Sequence, residues 1–295
     1  MAERIPVLRT AKLFIGGAFP RSESGRTFEV VAPDGAFLAN AALASRKDVR
    51  DAVVAARAAQ PGWAGATAFN RGQVLHRIAE LVEGRRGQFI DELRAHGVDE
   101  HAAAREVDAT VDRLIWYAGW TDKFAQVAGS VNPVAGPFFN VSVPEPIGVV
   151  AIVAPQASAL LGLVSVVAPA LVAGNTVVVV ASQQRPLPAV SLTEVLATSD
   201  VPGGVVNVLT GQVAELAPTL AGHLDVDGLD LTGLPGASDA GTDVDATALE
   251  AAAAEGVTRV LAAPSVEPDF LRTPRGIERI MTWCDIKTVW HPKGT

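Results

Sequence analysis

Residues 148–182, GVVAIVAPQASALLGLVSVVAPALVAGNTVVVVAS, decide the fold of this chain. Two runs rich in valine, at about 148–154 and 176–182, flank a longer apolar block at about 160–173. Short β-branched runs of this kind are typical of strands buried on both faces, and the longer block has the length of a helix. The stretch therefore predicts a strand–helix–strand unit with two parallel strands.

The same alternation continues after this stretch. Further strands are predicted at about 205–209, 229–232 and 258–263, and helices at about 188–198, 213–220 and 246–254. Right-handed crossovers connect such units, so helices cover both faces of one sheet. The predicted fold class is α/β, with a Rossmann-like, doubly wound parallel sheet over residues 148–263.

The part before this core, residues 1–130, is predicted to be mainly helical. Residues 13–15 and 27–31 favour a hairpin near the start of the chain. Ser45 is a candidate N-cap for the first of three amphipathic helices, which cover about 45–59, the region around 74–82, and about 103–125.

Two further segments have strand character but lie outside the predicted core. Within residues 131–147, the run 138–143 alternates between apolar and polar side chains, and so does 284–290 within the tail, residues 276–295. A linker containing proline and glutamate, residues 264–275, separates the tail from the core. The tail is therefore expected to project from the main sheet.

Composition narrows the class of protein. The chain has 295 residues, of which 49% are hydrophobic and 19% charged, with a formal net charge of −8. That balance supports a large core and argues against a nucleic-acid partner, which needs a basic face. One cysteine excludes an internal disulfide. We see no membrane-spanning apolar stretch and no signal-peptide pattern, so a cytoplasmic location and no membrane partner are expected.

Ligands of open parallel sheets bind at the carboxyl ends of the strands. The loops expected there are 155–159, 181–185, 210–212 and 232–238, and they carry few ionisable side chains. The last of them, TGLPGAS, contains Gly233 and Gly236. Its amides fit either a phosphate-binding turn or an ordinary tight turn, since the sequence does not match the dinucleotide glycine pattern.

Reactive and metal-binding residues are sparse. Cys284 is expected to be a half-buried structural thiol. The alternative, a nucleophile, fits less well, because the neighbouring Asp285 disfavours the thiolate. The five histidines include no pair with the i, i+4 spacing of a helical metal site. Asp225, Asp227 and Asp230 are explained by alternation near a strand and lack the pattern of a calcium loop. No metal site is predicted.

Several stretches taken together resemble the aldehyde dehydrogenase superfamily. They are LFIGGAF, SGRTFEVVAPDG, YAGWTDKF, EPIGVVAIVAP, APALVAGNTVVVVAS, VPGGVVNVLTG, LDLTG and GIERIMTWCDIKTVW. The resemblance implies the nucleotide-binding domain of that family, together with a small β element for oligomerisation that ends in the C-terminal tail.

The chain departs from the family where the family's chemistry resides. Members carry a catalytic domain between the nucleotide domain and the tail, and here residues 264–275 stand in its place. The segment with the nucleophilic cysteine has no counterpart. Four other family motifs are altered: the general-base Glu-Leu-Gly-Gly near 261–265 reads LAAPS, Pro-Trp-Asn reads PQA at 155–157, Lys-Pro-x-Glu reads VASQ at 180–183, and Thr-Gly-Ser reads TGL at 232–234.

These departures imply a site without catalytic residues. Acyl transfer through a thioester needs a thiolate and a base, and the oxyanion needs a donor that Ala157 lacks. Pro155, Thr232 and Gly233 are left as vestigial cofactor-binding positions. No cofactor is expected, and NAD or NADP would bind only weakly.

Three hypotheses follow. The first is a non-catalytic subunit that joins a full-length aldehyde dehydrogenase, or other copies of itself, through the 138–143 and 284–290 strands. It is similar to the truncated second unit of family-sixteen aldehyde dehydrogenases, a pseudoenzyme that supports or regulates its partner. The alternatives are NAD(P)-dependent aldehyde oxidation, in the complex or in this chain, and a nucleotide-binding sensor module.

Overall fold

The computed structural model describes residues 10–237, 244–273 and 276–294. The N-terminal part consists of β1 (Thr10–Ala11), β2 (Thr27–Val31), β3 (Phe37–Ala42), α1 (Arg46–Gly65), α2 (Ala68–Gly84), α3 (Arg86–Ala95), α4 (Glu100–Ala118) and α5 (Phe124–Ala128). The middle consists of β4 (Ser130–Asn132), β5 (Phe138–Pro146), β6 (Val149–Val153), α6 (Leu161–Ala173), β7 (Thr176–Val180), α7 (Leu187–Leu196), β8 (Val206–Leu209), α8 (Val213–Ala221) and β9 (Gly228–Asp230). The C-terminal part consists of α9 (Ala246–Glu255), β10 (Arg259–Leu261), α10 (Glu278–Thr282) and β11 (Cys284–Pro292).

The predicted Rossmann-like sheet is confirmed. Five parallel strands run in the order β10-β9-β6-β7-β8. Every residue of β6 and β7 is buried, as their continuous valine-rich runs predict. Helix α6, apolar around its whole circumference, is buried along all 13 residues. It ends at Gly174, whose φ of 99° forms the left-handed cap that turns the chain into β7.

The N-terminal hairpin differs from the prediction. Strand β2 pairs antiparallel with β3, whereas residues 13–15 contribute only isolated bridges, such as Phe14 to Val208. The turn between β2 and β3 closes with hydrogen bonds from Ala32 N to Ala36 O (2.8 Å) and from Ala36 N to the Asp34 carboxylate (3.0 Å). The sequence of β3, FLANAA, has little intrinsic strand preference, so its pairing stabilises the extended state.

The ends of the N-terminal helices are set by hydrogen bonds of capping side chains. The predicted cap is confirmed, because the Ser45 hydroxyl accepts the Asp48 amide while the Asp48 carboxylate accepts the Ser45 amide. The predicted helix over 103–125 is instead two helices. Helix α4 ends at Ala118, and the Thr121 hydroxyl donates to the freed Ala118 carbonyl before α5 begins.

The tail lies in a sheet of its own. Strand β11 pairs antiparallel with β5 along its whole length, from Cys284 opposite Pro146 to Pro292 opposite Phe138. Strand β4 pairs with the other edge of β5, giving the order β11-β5-β4. We call these three strands the tail sheet. The outer edge of β11 has no strand beside it within the described part of the chain.

The base of the tail is packed into the core. The Trp283 side chain is fully buried, and its carbonyl accepts a hydrogen bond from Asn175 Nδ2 at 2.9 Å. Arg259 reaches from β10 and donates to the Cys284 carbonyl at 2.7 Å. These contacts fix the direction in which β11 leaves the core. None of the described helices has the length and apolar composition needed to span a membrane.

Candidate functional site

The strand order marks where a ligand would bind. From β6 the chain continues to β7 and β8 on one side, then returns to β9 and β10 on the other. The carboxyl ends of β6 and β9 therefore border the point at which the direction of strand addition reverses, which is where open α/β sheets bind their ligands. The loops after these two strands carry Pro155, Thr232 and Gly233.

The loop after β6 holds a carboxylate of the same chain. Backbone amides of three successive residues point at Glu267: Gln156 N lies 2.7 Å from Oε2, Ala157 N 3.0 Å from Oε1 and Ser158 N 3.1 Å from Oε1. Successive amides that converge in this way form an anion-binding nest. Glu267 belongs to the linker, and nothing in its local sequence predicted this role. The contact joins residues 111 positions apart.

A second carboxylate serves the start of α6. Glu106, buried on α4, accepts hydrogen bonds at its Oε1 from the amides of Leu160 and Leu161, each at 3.1 Å. The Ser158 hydroxyl donates to the same oxygen at 3.2 Å. A carboxylate at this position satisfies the free amides of the first turn and interacts favourably with the helix dipole. The chain itself thus supplies the anions at this loop.

Glutamine side chains connect the neighbouring loops. The Gln156 side-chain oxygen accepts the Gln183 amide at 2.9 Å, which joins the loop after β6 to the loop after β7. The Gln183 side chain donates to the Ala237 carbonyl at 2.9 Å, and the Gln184 side chain to the Gly236 carbonyl at 2.7 Å. Polar groups of three loops at the carboxyl ends are therefore satisfied by one another.

The three predicted cofactor positions lie together at this edge. Pro155 is buried against Gly162, where a Cβ atom would come within 2.8 Å of the proline Cβ. Gly233 packs so closely on the end of β6 that a Cβ atom would lie 2.0 Å from the Ala154 carbonyl oxygen, so only glycine fits. The Thr232 hydroxyl donates to Asp230 and accepts from Arg279. Their role toward a cofactor stays a prediction.

The turn after Gly233 uses its amides internally. Residues Leu234–Gly236 form one turn of 3-10 helix, and the Gly233 amide donates to the Val153 carbonyl at 3.1 Å. The amides of Leu234 and Ala237 donate to carbonyls of the same loop. Of the two readings of this loop, the geometry favours the ordinary tight turn. Its last predicted residue, Ser238, lies outside the described residues, as do residues 274 and 275 of the linker.

An ion pair joins the end of β9 to the tail helix. Asp230 is fully buried, and its Oδ2 accepts a hydrogen bond from Arg279 Nη2 of α10 at 2.6 Å. The interpretation of Asp230 as one position of an alternating strand approach was wrong, because all of β9 is buried. Arg279 supplies a positive partner for this buried carboxylate, and the Thr232 amide and hydroxyl donate to its other oxygen.

Cys284 is buried rather than half-buried, and it lies in the tail sheet. Burial raises the pKa of its thiol to about 12, with Asp285 adding to the shift and Arg259 opposing it. The Sγ atom donates to the Ile280 carbonyl at 3.4 Å. At neutral pH this thiol is protonated, so it does not have the reactivity of a nucleophile.

Burial also changes the protonation of His96. His96 is buried, and burial followed by the nearby charge of Arg185 lowers its pKa to about 4. It is therefore neutral at physiological pH. No group of three or more histidine, cysteine, aspartate or glutamate side chains is arranged to hold a metal ion among the residues that the structure describes.

Comparison with known proteins shows the family of the chain. The aldehyde dehydrogenase family model matches residues 19–261. Aldehyde dehydrogenase, cytosolic 1, of Elephantulus edwardii is 33% identical over 259 residues, which is 86% of this chain and 50% of that protein. Cytosolic 10-formyltetrahydrofolate dehydrogenase of Homo sapiens is 35% identical over 231 residues, 75% of this chain and 25% of that protein.

The solved structures agree in fold. The crystal structure of HpcC from Thermus thermophilus superimposes with a TM-score of 0.78 and 30% identity, covering 85% of this chain and 47% of that one. The chain thus spans about half the length of several relatives it matches. A match over most of the sequence and of the fold leads to one conclusion: this chain belongs to the aldehyde dehydrogenase family.

Proposed function

We propose that this chain is a non-catalytic aldehyde dehydrogenase-fold subunit, which assembles with a full-length aldehyde dehydrogenase and supports or regulates it. The observation that carries the proposal is the contrast between a ligand-binding edge satisfied by the chain's own groups and a tail sheet with an open strand edge. Because the chain spans only half or less of the length of these relatives, their activities and partners come to this chain only as part of this proposal.

As far as the structure describes it, the edge after β6 and β9 lacks the groups for aldehyde oxidation. The only cysteine is in β11, buried and with its pKa raised to about 12. Ala157 offers no side-chain donor for an oxyanion, and its backbone amide is already bound to Glu267 at 3.0 Å. Nucleophilic acyl chemistry needs an activated thiolate, a base and a donor in one place.

The same edge does not fit a dinucleotide. A phosphate would require free amides at the loop after β6, where those of Gln156, Ala157 and Ser158 are bound to Glu267. A ribose would require polar side chains at the loop after β7, where Gln183 and Gln184 bridge to the turn after β9. We therefore derive no step through NAD or NADP, and we expect neither to bind tightly.

The tail sheet has the properties of an assembly surface. No strand of the described chain pairs with the outer edge of β11, and strand addition is a common way for such an edge to bind another chain. Apolar side chains on the sheet are exposed: Ile286 by 52%, Val289 by 46% and Trp290 by 59%. A partner that adds a strand would satisfy the backbone groups and cover this apolar area.

Co-expression tests the proposal. The tagged chain is produced with a full-length aldehyde dehydrogenase from the same genome, and the two are separated by size at micromolar concentration. We expect co-elution, with NAD-dependent aldehyde oxidation only when the partner's nucleophilic cysteine is intact. Separate elution would contradict assembly, and turnover by the purified chain alone would contradict the non-catalytic role. A saturable thermal shift with NAD or NADP would favour a nucleotide sensor instead.

We also propose a cytoplasmic location.

A further inference from the structure

Among its described residues, the linker between β10 and α10 is hydrogen-bonded to the core at two points. We call residues 262–271 the strap. Phe270 anchors its far end, being 2% exposed, with its carbonyl accepting from Arg113 Nη2 at 2.8 Å. Glu267 anchors its middle on the nest. We find no other hydrogen bond from residues 262–268 within the described chain, and Val266 is 74% exposed. Ala263 packs against the core at the start of the strap, and beyond it Glu267 makes the hydrogen bonds that hold this half in the described chain.

The nest has the geometry of a receptor for a carboxylate. Both oxygens of Glu267 are used, since Oε2 accepts from Gln156 at 2.7 Å and Oε1 from Ala157 at 3.0 Å and Ser158 at 3.1 Å. Arg185 donates to the Ala157 carbonyl at 2.6 Å, which brings a positive charge next to the same loop. These donors recognise the carboxylate group and not the chain to which it is attached.

A cavity of about 320 Å³ opens beside the nest. Its apolar lining includes Leu161, Phe270 and Leu271, which could cover the body of a small ligand. The carboxylates of Glu106 and Asp269 also line it, so a second negative charge on the ligand would be repelled. The cavity therefore selects for a small molecule with one carboxylate and an apolar body.

We propose that the nest is a carboxylate-binding site which Glu267 occupies from within the chain, and that a small monocarboxylate takes its place when the strap up to Glu267 lifts while Phe270 stays anchored. The strap then works as an internal competitor. Its tether keeps the local concentration of Glu267 high, so free carboxylates bind the wild-type chain weakly. This proposal concerns the chain's own residues and does not depend on the proposed assembly.

The test is an NMR titration of the ¹⁵N-labelled full chain with sodium acetate at constant ionic strength. The variant is Glu267→Ala, and acetamide is the neutral probe of the same shape. In the variant we expect saturable shifts at the amides of Gln156, Ala157 and Ser158, with an apparent Kd for acetate at least tenfold lower than in the wild type. Acetamide should produce no saturable shift.

Val266→Ala is the matched control, because it shortens an exposed side chain of the same strap that touches neither the nest nor the cavity, and it should behave as the wild type. If Glu267→Ala does not fold, Glu267→Gln serves in its place, since it keeps the size of the side chain and loses the charge. An equal response to acetate in wild type and variant would overturn the proposal. So would an equal response to acetamide, or no saturable shift in the variant.

Discussion

The carboxyl-end edge of the central sheet and the tail sheet treat their polar groups in opposite ways. At the first, loop amides, carboxylates and glutamine side chains bind one another, as with Glu267 on the amides after β6. In the second, β11 carries a full ladder to β5 on one side and no strand on the other within the described residues. A surface whose polar groups are already paired gains little from a ligand, whereas an unpaired edge gains from a strand.

Trp283 anchors the tail sheet to the core at the amino ends of β7 and β9, and its removal should have the largest effect on stability. Trp283→Ala deletes a fully buried side chain and leaves a cavity, so we expect the free energy of unfolding to fall by about 3–5 kcal/mol. Trp290→Ala is the matched control, because that side chain is 59% exposed. Urea denaturation of both variants measures the difference. Equal losses would mean that the tail is not anchored through Trp283.

The ion pair between the tail helix and β9 gives the next effect. Arg279→Met leaves the fully buried Asp230 without its partner, and we expect a loss of about 2–4 kcal/mol, because Arg279 itself is 24% exposed. The comparison is Lys287→Met, which breaks the solvent-exposed pair with Glu145 on the tail sheet and should cost less than about 0.5 kcal/mol. Similar losses in the free energy of unfolding for the two pairs would contradict the distinction between the carboxyl-end edge and the tail sheet.

Acid should lower the free energy of unfolding of the chain through His96. Its pKa in the folded chain is about 4, below the ordinary 6.5, so the unfolded state binds the proton more readily. Above pH 6.5 His96 leaves the free energy of unfolding at its full value. As the pH falls from 6.5 toward 4, that free energy decreases by up to about 1.4 kcal/mol per pH unit. His96→Gln should flatten that slope, whereas His76→Gln, at an exposed position, should leave it unchanged. Urea midpoints at about pH 7, 6 and 5 measure it, and an unaltered slope in His96→Gln would contradict the assignment.

The smallest effect on stability belongs to the free strand edge. Val289→Lys changes a side chain that is 46% exposed, so the free energy of unfolding should stay within about 0.5 kcal/mol of the wild type. The same variant should lose co-elution with the full-length dehydrogenase, because a charge on an edge strand opposes strand addition. Full retention of the complex would move the interface away from the tail sheet.

Local pattern was enough to predict the central sheet. The valine runs of β6 and β7 can be buried on both faces only in a parallel sheet, so their fold followed from composition and spacing. Strand β3 was missed because FLANAA has the propensity of no particular element, and its pairing with β2 decides its conformation.

The candidate site was predicted less completely, for the same physical reason. The loops were identified from the rule that ligands bind at strand ends, but Glu267 and Arg279 were not. Glu267 binds amides 109 to 111 residues away, and Arg279 binds an aspartate 49 residues away. Neither lies in a periodic pattern, and contacts over such separations depend on the folded arrangement of the whole chain.

Hydrogen–deuterium exchange of the chain, alone and mixed with the full-length dehydrogenase, tests the central claim most directly. We predict that the partner slows exchange in residues 130–132 and 284–292, while residues 155–158 and 232–236 exchange equally slowly in both samples. Millimolar NAD should leave all four segments unchanged. Slowed exchange in the loops on addition of NAD, with no change in the tail sheet on addition of the partner, would contradict the account.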